Sequence, residues 1–528
     1  MQQQLNIKVL PSVVSSSDLL KESIAATLSV NPDSITGYNI LKQSLDARGR
    51  QQWILLSIIV FINEPYVQRP VSRLNLPDVR NATHKVIVVG SGPAGLFAAI
   101  KLIEAGIQPI ILERGKDVRA RRRDLALLNK EGILNPESNY CFGEGGAGTY
   151  SDGKLYTRST KRGDVNRILS ILVQFGAQEN ILYEAHPHIG TNKLPQIITA
   201  MREQIGACGG KVLFEKKLTD LIVSADTVTG VICADGETLM ADAVILATGH
   251  SARDIFIMLH RKKIHIEFKP YALGVRVEHP QALVDTIQYH CAIRSEYLPP
   301  ASYSLVQQVE NRGVFSFCMC PGGIIAPAST NLNELVVNGW SPSKRNNPFA
   351  NSGMVVTVQN EDITDLIAKH GPLAGMYFQQ EVEEKAYKSG GGAFVAPAQR
   401  MVDFFDRKLS DSLPENSYLP GLNSSLLDEV LPPFIYNSLR QALMESGKKM
   451  KGFFTNDAVV VATESRTSSP VRIPRDKHTL QHTQVNRLYP CAEGAGYAGG
   501  IVSAAIDGER VAEQIILQTT GIVSVYKQ

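Results

Sequence analysis

No stretch of the 528 residues is apolar for long enough to cross a bilayer. The longest such run, Trp53 to Ile62, falls far short of the roughly 20 residues that a spanning helix needs. The N-terminal Met1-Gln2-Gln3-Gln4 lacks the basic start and apolar core of a signal peptide. A cytoplasmic protein with no membrane partner is therefore expected. Cysteine is sparse: seven residues, an odd number, lie scattered along the chain and form no disulfide framework. Charge of one sign is also lacking. A formal net charge of +3 is small for this length and gives no reason to expect a nucleic-acid partner. With 44% apolar and 20% charged residues, disordered and fibrous classes are excluded. The length exceeds what one core serves, so two or three domains are expected.

The pattern divides the chain into four spans. Residues 1–80 read as a small unit. Leu5 to Val9 alternates as a strand, Ser17-Asp18 caps a helix through Leu28, and Ile35 to Leu45 and Gln52 to Ile62 form two more strands. That β-α-β-β order fits a small ferredoxin-like α+β domain. A second organisation, residues 81–270, opens with Lys85 to Val89, apolar throughout as in a strand buried on both faces. Its signature returns in residues 452–528. Residues 271–451 lie between as an inserted α+β cap, expected to rejoin through a hinge or crossing strands near Lys451 to Val461. Within the cap, Ala326 to Gly353 is rich in Asn, Ser and Pro and reads as a long irregular loop. The fold class is α/β, with a Rossmann-type parallel sheet written in discontinuous segments.

The glycine loop Gly90-Ser91-Gly92-Pro93-Ala94-Gly95 follows the buried strand and opens a helix, and Glu113 ends the next strand. Each residue type has a reason. Gly90 permits the tight turn. Gly92, lacking a Cβ, lets a pyrophosphate approach the backbone, and Gly95 lets helix and strand pack closely. The helix N-terminus offers free N–H groups to phosphates, and Glu113 can accept from ribose hydroxyls. This fingerprint does not separate FAD from NAD. Three further segments favour FAD. Gly145-Gly146-Ala147-Gly148 offers a run of backbone amides suited to an anion or a flavin edge. Thr248-Gly249 ends an apolar strand in the manner of large flavoproteins. Glu493 is followed by Gly500-Ile501 and a helical run, similar to flavoproteins in which an acid at this place binds a ribityl hydroxyl and the helix N-terminus points at the flavin pyrimidine. Arg114 and Leu218 complete the candidate cofactor set.

Long strings then resemble one bacterial group, the uncharacterised FAD-dependent dehydrogenase family of glutathione-reductase-like nucleotide fold. They include Asn139 through Leu155, Pro270 through Pro280, Phe317-Cys318-Met319-Cys320-Pro321-Gly322-Gly323, Ala396-Pro397-Ala398-Gln399, Glu464 through Ile473 and Glu493 through Gly500. The resemblance covers nearly the whole chain. It implies an FAD enzyme and supplies no substrate.

Candidates for chemistry beyond FAD are fewer. Arg466 has the geometry to hold an anionic group, or pairs with Glu464 or Glu493 as scaffold. His250 suits acid–base work or a structural hydrogen bond. Lys154 either neutralises reduced flavin or faces water. Strict alternation along Val314 to Met319 puts Cys318 and Cys320 on one face, as cavity-lining thiols or as small buried residues. No second glycine fingerprint lies between Gly249 and Tyr489, and no Cys-x4-Cys pair sits near the first flavin helix, both of which disulfide reductases of this fold carry. The leading expectation is an oxidoreductase acting on an unidentified small molecule with an unidentified electron donor or acceptor. A non-catalytic, redox-sensing flavoprotein and a flavin-dependent RNA modification enzyme are the alternatives.

Overall fold

The computed structural model describes residues 1–70, 73–157 and 161–520, so 521–528 of the expected last span lie outside it. The N-terminal strands Gln2–Val9, Ile35–Asp46 and Trp53–Ile62 form an antiparallel sheet with Trp53–Ile62 in the centre. One helix, Ser17–Leu28, covers it through Leu20, Ile24 and Ala25. Its cap is Ser16, whose side chain accepts from Leu19 N, one residue before the cap expected from sequence.

Five strands then build a fully parallel sheet in the order Leu488–Pro490, Ala243–Leu246, Lys85–Val89, Gln108–Leu112, Lys211–Leu213. Val86, Ile87 and Val88 in its middle have no exposed surface, because helices or strands cover both faces. On one face the helices Pro93–Glu104 and Ile501–Thr520 pack against each other. They approach so closely that a Cβ on Gly508 would stand 2.1 Å from the Ala94 carbonyl oxygen. The other face carries the helix Arg253–Arg261 and a small antiparallel sheet, Leu218–Ser224, Thr227–Cys233 and Thr238–Met240.

The second unit is a seven-stranded sheet, antiparallel but for one pair at its edge. Its central strand Tyr271–Pro280 leaves the first unit and pairs with Val459–Glu464, which returns to it. Glu267–Phe268 and Val471–Arg472 form a second antiparallel pair between the same two crossings. Val459–Glu464 thus belongs to the second sheet, although the sequence reading placed it after a boundary at 452. The stretch Ala326 to Gly353 also differs from expectation. It contains the strand Val337–Trp340, paired with Ile324–Pro327, and the start of the long strand Phe349–Val358.

Candidate cofactor and substrate site

A cavity of about 320 Å³ lies between the two units. The parallel sheet ends on it, because glycines let three chain segments converge there. Gly90 has φ +105°, and a Cβ would meet the Ala247 carbonyl oxygen at 2.4 Å. A Cβ on Gly95 would stand 2.0 Å from Gly90 O, and one on Gly494 would stand 2.6 Å from Gly249 O. Gly92 is different: a Cβ there would meet nothing closer than Gly146 Cα at 4.0 Å, so its open side belongs to the cavity. Two helices begin at this wall, at Pro93 and Ile501, and their free N–H groups favour an anion. Thr248 Oγ1 is buried on the same wall without a hydrogen-bond partner. An open glycine face, two helix N-termini and an orphaned hydroxyl fit a dinucleotide.

Of the cofactor residues expected from sequence, Gly90, Gly92, Pro93, Ala94, Glu113, Arg114, Gly146, Ala147, Gly148, Leu218, Thr248, Gly249, Glu493, Gly500 and Ile501 line this cavity. Ser91, Gly95 and Gly145 stand behind the wall and shape it. Glu113 ties the loops together. One of its oxygens accepts from Ser91 N at 3.0 Å and Ser91 Oγ at 2.6 Å, and the other from Gly115 N at 2.9 Å and Gly143 N at 3.0 Å. Arg114 is paired with Glu137 and Asp254 and lies over the Phe142 ring, so its charge is already balanced.

Sequence gave no signal for Arg121, which organises the second glycine segment. It is fully buried and donates to the carbonyls of Asn139, Tyr140, Glu144 and Gly146 at 2.8–3.0 Å. It takes part in none of the ion pairs among the described residues. Burial pulls its pKa below the ordinary arginine value, against the pull of Tyr150 and Glu113.

The chemistry candidates separate. His250 lines the cavity, with Nδ1 3.6 Å from Glu493 Oε2. Arg466 also reaches the wall, but neither Glu464 nor Glu493 is its partner. It is held by Glu383, Glu334 and Thr330, a scaffold role through acids that local spacing did not suggest. Glu464 instead meets the buried Arg276, at 2.8 Å. The two cysteines depart from strict alternation. Cys318 has φ +44°, the register slips between Phe317 and Cys320, and Phe317, Cys318 and Cys320 all line the cavity. Cys318 is accessible by way of the cavity, whereas Cys320 is buried. Desolvation between the walls of the cavity pushes the Cys318 thiol up to about 12, against the pull of Lys154. Lys154 donates to the Met319 carbonyl and lies 3.5 Å from Asp152. Burial alone would lower its pKa, but Cys320 and Asp152 outweigh that and raise it above the ordinary lysine value.

Comparison with known proteins bears on the same segments. A family described as FAD-dependent protein, C-terminal domain-like, matches residues 270–467. Pyridine nucleotide-disulphide oxidoreductase matches residues 84–258, and a domain of unknown function matches residues 1–61. A Clostridium beijerinckii protein described as uncharacterized is 39% identical over 519 residues, 94% of this chain and 96% of that one. Thiamine thiazole synthase of Aeropyrum pernix is 30% identical over 182 residues, 32% of this chain and 55% of that one. Among solved structures, CtdE in complex with FAD and a substrate aligns over 83% of this chain and 82% of that chain, at 11% identity and a TM-score of 0.34, too slight a likeness to carry an argument. No helix among the described residues is long and apolar enough to cross a membrane. The cofactor is FAD, and the chain belongs to the family of FAD-dependent oxidoreductases that includes the Clostridium beijerinckii protein.

Proposed function

We propose that the chain is an FAD-dependent dehydrogenase or reductase whose small-molecule substrate binds between the flavin and the second unit. The observation that carries this reading is the shared cavity. Its wall is built from the glycine loops of the first unit and from Phe317, Cys318, Asn338 and Trp340 of the second. A protein that only stored FAD would have no need of a second domain facing the same space. Gly92, Gly146–Gly148, Glu113, Thr248 and Ile501 would hold the cofactor. When bound, FAD supplies two-electron transfer. The chain's own residues then bind and orient the substrate and keep water out. His250, supported by Glu493, is placed to hold or move a proton, and Lys154 and the Arg276–Glu464 pair set the charge at the second-unit end.

Anaerobic mixing of the holoprotein with panels of reductants, followed by the flavin absorbance, tests this. Saturable bleaching by one chemical class identifies the substrate side. Flavin that responds to no organic reductant or oxidant, only to dithionite, would favour a redox-sensing role. NADH and NADPH belong in the panel. Slow reduction by both is expected, because the chain has no second nucleotide fingerprint.

A further inference from the structure

We propose that Cys318 and Cys320 are a redox-active dithiol pair that closes to a disulfide and delivers its electrons to the bound FAD; this rests on the flavoenzyme reading above. Simple packing does not account for their geometry. Cys208, Cys233 and Cys491 are the packing kind, buried and not part of the cavity's lining. Cys318 instead adopts a left-handed backbone conformation in mid-strand, which costs free energy for any residue with a Cβ. Two cations hold that irregularity in place. The Arg276 guanidinium donates to the Cys318 carbonyl at 2.6 Å, and the Lys154 ammonium donates to the Met319 carbonyl.

The same two cations attend the sulfur atoms. Cys320 Sγ lies 3.5 Å from Arg276 Nη2, and it folds back to within 3.2 Å of the Cys318 carbonyl oxygen. Alternate residues of an extended strand stand near the upper limit of bridgeable separation, so a backbone irregularity at this point is what a closable pair requires. Room for the Arg276 side chain is made by a glycine, since a Cβ on Gly339 would stand 2.3 Å from Arg276 Nη2.

Closure breaks two S–H bonds and forms one S–S bond. Two electrons and two hydrogens pass to FAD, which becomes FADH2. The substrate class that follows is a small thiol or disulfide exchanging at Cys318, the sulfur that opens onto the cavity.

The test is an electron count. Holoprotein is oxidised with diamide, freed of reagent, and titrated with dithionite without oxygen. Wild type should take up about four electrons per FAD, two for the flavin and two for the disulfide. Cys318→Ser and Cys320→Ser should each take up about two. Cys141→Ser, which removes the other thiol on the cavity wall, should still take up about four. Peptide mapping of the oxidised wild type should find the Cys318–Cys320 link, which keeps the proposal open to refutation even if a serine variant does not fold. Uptake of only two electrons by wild type, with the flavin fully reduced, overturns the dithiol pair and leaves the flavoenzyme reading intact. Absence of a reducible flavin overturns both.

Discussion

Arg253 and Glu383 are joined by a buried ion pair in which one guanidinium nitrogen lies 2.9 Å from both carboxylate oxygens. Arg253 belongs to the helix behind the parallel sheet, and Glu383 to the helix Ala374–Gly390 of the second unit. Arg466 grips the same carboxylate from the other side. Two arginines therefore depend on one acid, with Glu334 as the second counter-charge. Their attraction holds the Glu383 carboxyl well below the ordinary range, although burial opposes it.

Glu383→Gln should be strongly destabilising. It leaves two buried cations facing one carboxylate, and breaking a buried pair from one side costs about 3–5 kcal/mol. Asp411→Ala, which removes an exposed partner of Lys408, should change stability by about 0.5 kcal/mol at most. Urea unfolding of both variants checks the contrast. Equal small effects would mean that the two units do not rely on this junction.

Gly92→Ala and Gly95→Ala should fail in different ways. At Gly95 a Cβ meets backbone at 2.0 Å, so the loop cannot form and soluble protein should be lost. At Gly92 a Cβ meets nothing nearer than 4.0 Å and projects into the cavity. That variant should keep the apoprotein's melting temperature while FAD affinity falls at least about tenfold, or about 1.4 kcal/mol. Fluorescence titration of the apoprotein with FAD measures this. Unchanged affinity would show that the cofactor does not lie against Gly92.

Glu278 gives a pH dependence with a definite sign. Burial pushes its carboxyl up to about 7, although Ser417 donates to it. The folded pKa lies above the unfolded one, so the group stabilises the fold below about pH 4.5. That contribution is lost as pH rises to about 7 and stays lost above it. A shift of about 2.5 units corresponds to about 3 kcal/mol. Glu278→Gln should lose less stability than wild type between pH 5 and pH 8, and denaturant unfolding at both values compares them. Parallel losses in the two proteins would show that Glu278 keeps an ordinary pKa.

The glycine-built wall of the cavity was legible in the sequence because its requirements are local. Gly90 and Gly95 answer to backbone geometry within a few residues, and Glu113 to its position at the end of the next strand. The charge network was not legible. Arg253 meets Glu383 across 130 positions and Arg276 meets Glu464 across 188. Nothing in a local pattern chooses among the acids an arginine could reach, so Arg466 was expected beside Glu464 or Glu493. The cysteine strand shows a third situation. Alternation assumes a regular ladder, and the irregularity at Cys318 depends on Arg276, which arrives from a strand two places away. The β-α-β-β order of residues 1–62 was readable because each element there carries its own periodicity and turn.

Arg121 offers a test of how the cofactor site is charged. Its side chain has no exposed surface, and its partners are carbonyl oxygens, which carry only partial charge. A buried cation in no direct ion pair is costly in the apoprotein, although the nearby Glu113 carboxylate offsets part of that cost. The loop it organises reaches the dinucleotide loop, since a Cβ on Gly146 would stand 3.2 Å from Gly92 Cα. An anionic pyrophosphate at Gly92 would therefore lie across one turn of backbone from the guanidinium and offset that cost. Arg121→Met should then destabilise the FAD-bound protein more than the apoprotein. The stabilisation that FAD confers, read as the difference in melting temperature with and without it, should shrink. The substitution should also weaken the competition of ADP for the apoprotein, because ADP carries the pyrophosphate without the flavin. If apoprotein and holoprotein lose the same stability, and ADP competes as before, Arg121 supports the loop only through its four hydrogen bonds and its charge plays no part in binding.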